Sequence, residues 1–87
     1  MRSKIFKITE SFPGYDYDVE TTAWDNIVYF RIDDDFNFFF ELPNAKNSNT
    51  KPKVKIYIKN DWEIFTDDNL NELIIKTKQI IDERKTA

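Results

Sequence analysis

A chain of 87 residues has room for one hydrophobic core, so a single domain over 1–87 is expected. It contains neither His nor Cys, which removes His-based triads, thiol nucleophiles, disulfides and Cys/His zinc sites from consideration. A formal charge of −3 is not the basic footprint of a non-specific nucleic-acid binder, and it is far too mild for a mimic of a phosphate backbone. Cysteine-free composition, with no signal-type apolar run and no stretch of membrane-spanning length, points to a cytoplasmic protein with no membrane partner. Eight Phe, four Tyr and two Trp supply an aromatic core, because each ring buries a large area.

Taken in chain order, residues 4–12 alternate loosely and are rich in β-formers, so a strand is expected, closed by the turn signal Pro13-Gly14. Residues 15–22 alternate strictly, with Tyr15, Tyr17 and Val19 on one face and Asp16, Asp18 and Glu20 on the other. A two-residue loop at Pro13-Gly14 sets Ile8 opposite Val19 and Lys7 opposite Glu20, although an L-Pro-Gly pair favours a turn whose twist opposes a tight hairpin. The register of that first hairpin is left open by the sequence.

The segment 24–26 reads as a bend. Residues 27–32 and 36–42 then form the clearest hairpin, around a three-residue loop Asp33-Asp34-Asp35. That loop pairs Ile32 with Phe36, Phe30 with Phe38 and Val28 with Phe40 on the core face. Tyr29 meets Phe39 and Arg31 meets Asn37 on the outer face. Residues 43–52 lack large apolar groups and are expected to form a mobile loop. Another alternating strand follows at 53–59, with Val54, Ile56 and Ile58 inward, and a turn at Asn60-Asp61 leads to a short return over 62–65. A helix is expected over about 67–85. Asn69 and Glu72 resemble a capping box, and Leu70, Leu73, Ile74, Thr77, Ile80 and Ile81 form its apolar stripe. The fold class is α+β: an antiparallel meander sheet of about five strands on one C-terminal amphipathic helix.

Chemistry is sparse in this pattern. Asp33, Asp34 and Asp35 have oxygen ligands for a hard cation, but consecutive Asp side chains diverge and no Gly supplies a sharp metal-loop turn, so the hairpin-turn role outweighs a metal site. Asp16 and Asp18 stand about 7 Å apart, a spacing available to paired-carboxylate chemistry, yet nothing else catalytic accompanies them and a solvated strand face is the weightier reading. Gly14 is the only glycine, so there is no phosphate-cradling loop. No cofactor is implied. On the outer sheet face, Tyr29, Phe39 and Tyr57 stand beside Arg31, Lys53, Lys55 and Lys59, a mixture suited to single-stranded nucleic acid. The same mixture serves sheet stability and edge protection, and Asp16, Asp18 and Glu20 on that face would repel phosphate. Trp24 and Trp62 are read as core residues or interface anchors, core being the weightier use in so small a domain.

A five-stranded sheet is about 20 Å wide and a helix about 10 Å, so one helix leaves apolar sheet uncovered. The inward set, Phe6 and Ile8 through Ile56, therefore asks for strong curl around the helix or a second layer from another chain. The expectation that follows is a non-enzymatic protein-binding module, such as a small inhibitor, immunity or accessory protein. It would dock through Ile27, Tyr29, Arg31, Phe39 and Tyr57 or through the Asp33–Asp35 loop, on a protein partner or a second copy. Single-strand nucleic-acid binding is the alternative, and a carboxylate-only enzyme the weakest reading.

Overall fold

The computed structural model describes residues 2–43 and 51–86, with side chains placed for 4–43 and 51–84. The elements are α1 (Arg2–Ser11), β1 (Asp16–Thr21), β2 (Asp25–Asp33), β3 (Phe36–Pro43), β4 (Lys53–Ile58), β5 (Asp61–Thr66) and α2 (Leu70–Thr86). The strands form one antiparallel meander in the order β1-β2-β3-β4-β5. The α+β class with a C-terminal helix on the sheet is therefore as expected. The loop expected over 43–52 falls largely on residues outside the described ones; Pro43 ends β3, and the Pro52 carbonyl accepts the Asp67 N–H at 3.2 Å.

The first strand is a correction. Residues 2–11 are helical, and the pairing of Ile8 with Val19 and Lys7 with Glu20 does not exist. Ile5, Ile8 and Phe12 recur at i, i+3 and i+7, a helical spacing that the adjacent pair Ile5-Phe6 already favours over alternation. A strand would put Phe6 and Ile8 on one face. Instead Ile8 is fully buried and Phe6 is 65% exposed. Thr9 and Ser11 donate their hydroxyls to the carbonyls of Phe6 and Lys7, so these residues of low helix propensity satisfy their hydroxyls within the helix itself. Pro13 then disfavours helical geometry at Phe12, and Gly14 turns the chain with φ of 87°.

This helix changes the count of layers. The ring of Phe12 lies 5.2, 5.0 and 5.8 Å from those of Phe30, Phe38 and Phe40, so the end of α1 plugs the centre of the sheet. α1 rests against β2 and α2 against β4, and the helices touch each other. The surplus apolar width assigned to curl or to another chain is thus covered from within, by two helices on one face. Tyr17 and Val19 of β1 lie beyond both and are 56% and 39% exposed.

The β2–β3 hairpin keeps the expected pairs Phe30–Phe38, Val28–Phe40, Tyr29–Phe39 and Arg31–Asn37. Its tip differs: Phe36 pairs with Asp33, the register shifts between Arg31 and Asp33, and the turn is Asp34-Asp35. The bulge lets Ile32 pack against the core edge without a cross-strand partner. Between β4 and β5 the turn is Lys59-Asn60 with φ of 48° and 70°, one residue earlier than expected. Positive φ at both positions matches the twist of a tight hairpin, and β5 is accordingly a full six-residue strand.

In α2 the expected stripe is the observed one: Leu70, Leu73, Ile74, Thr77 and Ile81 are buried, with Ile80 half-buried. The Thr77 hydroxyl donates to the Leu73 carbonyl at 2.7 Å, so its burial leaves no unmet donor. The helix starts later than expected because Asp67 and Asn69 form the cap. Asp67 Oδ1 accepts the Asn69 N–H at 2.8 Å and Asn69 Oδ1 accepts the Asn71 N–H at 3.0 Å. Asp67 thereby takes the role the capping box gives to Glu72. Among the described residues, no helix is long and apolar enough to cross a membrane.

Candidate functional site: the open sheet face

With both helices on one side, no element among the described residues covers the other side of the sheet. Alternation sends every second residue there, and the registers of the four strand pairs line these residues up in rows. One row runs Asp16, Arg31, Asn37, Tyr57, Trp62. The next runs Asp18, Tyr29, Phe39, Lys55, Ile64, and the third Glu20, Ile27, Glu41, Lys53, Thr66. Of the sequence-predicted residues, Ile27, Tyr29, Arg31, Phe39 and Tyr57 are therefore brought together on one surface.

Aromatic rings form a continuous path across it. Tyr29 and Phe39 are 5.2 Å apart, Phe39 meets Trp62 edge-on at 6.0 Å, and Trp62 lies 5.0 Å from Tyr57. Trp62 is 48% exposed and Ile64 57%, so the expectation of a core Trp fails here; Trp24, at 64%, is also on the surface. Both Trp62 and Ile64 were missed as site residues. The signal was present in the sequence: a two-residue turn at Lys59-Asn60 sets Trp62 opposite Tyr57 on the same face.

Charge is divided between the flanks. Asp16, Asp18 and Glu20 line the β1 side, while Lys53 and Lys55 stand on β4, 3.9 and 3.3 Å from Glu41. The Lys55 ammonium also lies 5.6 Å from the Phe39 ring centre, so Glu41 and the ring already occupy it. The Tyr29 hydroxyl donates to Glu20 at 3.1 Å. Its pKa is held above the ordinary tyrosine value, first by burial and then by the Glu20 hydrogen bond and the charges of Glu20, Glu41 and Asp25. Lys59 sits in the turn and does not flank the aromatic path.

The Asp33–Asp35 segment does local structural work at one end of the sheet. Asp33 accepts the Asp35 N–H at 2.8 Å, Asp34 pairs with Arg31 at 2.9 Å, and the Asp35 carbonyl accepts the Lys59 N–H at 2.9 Å. These three residues are separate from the aromatic path. Among the described residues, no group of three or more Asp or Glu is arranged to hold a metal ion. An open depression of about 580 Å³ lies between this end and β1, lined by Asp16, Asp18, Arg31 and Asp34 with Tyr17 and Tyr29 among others.

The sheet's open edges are guarded. The Val19 N–H on β1 bonds to Asp18 Oδ1, and the Trp62 N–H on β5 bonds to Asp61 Oδ1, each at 3.1 Å. An adjacent carboxylate thus occupies a donor that an added strand would need. Comparison with protein-family models, with curated proteins and with solved structures finds no match for this chain.

Proposed function

We propose that the chain is a non-enzymatic protein-binding module of the inhibitor, immunity or accessory kind, and that it docks through the open face of its sheet. The supporting observation is the ring path Tyr29–Phe39–Trp62–Tyr57 with Ile27 and Ile64 beside it, on a face that neither helix covers. Exposed aromatic groups at the centre of a patch with charges around it are the make-up of a protein contact. Edge pairing is the weaker mode, because Asp18 and Asp61 take up edge donors. Nucleic acid is also a weaker ligand: Glu41 engages both lysines and β1 adds three carboxylates to the same face.

The test is retention of protein partners by immobilised wild-type chain and by Trp62→Arg and Ile64→Arg variants of equal melting temperature. Loss of a retained protein, this chain included, on either substitution is the expected result. Retention indifferent to both substitutions, or retention of single-stranded oligonucleotide that falls steeply with salt, overturns the reading.

A further inference from the structure

The open face carries three carboxylates on its β1 side and two lysines on β4, with Phe39 midway on β3 between Asn37 and Glu41 and with Arg31 on β2. We propose that this face binds a second copy of the chain, sheet against sheet, about a twofold axis running along β3. The proposal rests on the protein-binding reading of the same face.

The layout selects the axis. A twofold axis perpendicular to the strands, lying in the interface, sets β1 on the second copy's β1, so that Asp16, Asp18 and Glu20 confront the same three carboxylates. An axis along β3 reverses the strand order instead. β1 then lies over the second copy's β5 and beside its β4, β2 lies over β4, and β3 meets itself. Within the row Asp18, Tyr29, Phe39, Lys55, Ile64, this puts Phe39 on Phe39, Tyr29 opposite Lys55, and Asp18 within reach of that same Lys55. In the row above, Arg31 comes opposite Tyr57. Phe39 meets its mate once, on the axis; each of the other three is a contact between a cation and a ring or a carboxylate and occurs twice by symmetry. Glu41 meets its symmetry mate, but Lys53 and Lys55 hold it in each copy; with Asp18 included, the two copies bring four lysines to four carboxylates.

The area sets the strength. Five strands at about 4.8 Å and six residues at about 3.3 Å give a plane of roughly 480 Å² per copy, about 960 Å² in all, the size of weak and transient contacts. Such an area fits a reversible dimer of micromolar range at best. The mild charge of −3 per copy opposes it only weakly.

A charge-swap cycle measured by sedimentation equilibrium tests both the partner and the axis. Asp18 and Lys55 are three strands apart in one chain, about 14 Å, beyond the screening length of about 8 Å at physiological salt, so they do not couple within a copy. Lys55→Glu and Asp18→Lys are each expected to weaken the dimer about tenfold, and the double variant to recover to within about threefold of wild type. Wild type that stays monomeric at several hundred micromolar (about ten times a micromolar-range constant or more), or a double variant as weak as the two single effects combined, overturns the proposal. A strict monomer that still loses a retained protein on Trp62→Arg refutes self-association alone, whereas a monomer that retains nothing refutes the protein-binding reading as well.

Discussion

Adjacent phenylalanines in β3 have opposite fates. Phe38 is 1% exposed and stacks on Phe30 at 4.9 Å, while Phe39 stands half-buried on the open face. Phe38→Ala is expected to cost about 3–5 kcal/mol, enough to unfold much of a domain this small, and Phe39→Ala distinctly less. Urea melts check the order; a larger loss at Phe39 would reverse the assignment of faces. Tyr29 gives a second residue-scale test. Its pKa is raised in the folded state, so folding favours the neutral phenol. That contribution is fully present below the unfolded value of about 10 and is lost as pH rises through the folded value. Ultraviolet titration should find one tyrosine above the ordinary range, absent in Tyr29→Phe and moved downward by Glu20→Gln, which removes the acceptor's charge.

At the scale of elements, the hairpin β2–β3 and the stripe of α2 were legible because each carries its own period over many residues. A one-residue slip of β2 against β3 moves Val28 and Phe30 off the core face while Phe38 and Phe40 stay on it, and so breaks both core pairs at once, which pins the register. The segment 2–11 carries no such redundancy. Its β-rich residues suggested a strand, while only Ile5, Ile8 and Phe12 marked the helical face. The two assignments predict different mutational profiles. In the helix, Ile8→Ala is expected to cost about 2–5 kcal/mol and Phe6→Ser to fall within about 0.5 kcal/mol of neutral, whereas a strand would make the two comparable. Thermal or denaturant unfolding of the two variants decides between them.

At the scale of the molecule, two helices share one face of a five-stranded sheet, and no described element covers the other. Asp33 serves as a turn group, Asp67 as a cap and Glu41 as an ion-pair group, and no three described carboxylates gather into a metal cage. Millimolar Ca²⁺ or Mg²⁺ is therefore expected to leave the melting temperature unchanged, since only a ligand that prefers the folded state raises it. A rise of several degrees that Asp34→Asn abolishes would make the Asp33–Asp35 turn a cation site after all. The same arrangement accounts for the surplus of apolar width: α1, and not curl or another chain, covers it, and alternation places Trp62 and Ile64 on the opposite face with the residues expected there.

By itself the sequence determined the α+β class, the pairing of β2 with β3, the buried side of α2 and five of the residues on the open face. Each of these follows from a local period repeated often enough to outweigh exceptions. Only the tertiary structure decided that residues 2–11 are a helix and that this helix and α2 lie on the same side of the sheet. The reason is energetic. Intrinsic preferences over a short segment differ by tenths of a kcal/mol per residue, whereas burying Ile8 and Phe12 against Phe30, Phe38 and Phe40 is worth about 1.5–3 kcal/mol each. That gain depends on a slot between β2 and α2 that exists only once the sheet and the second helix are in place.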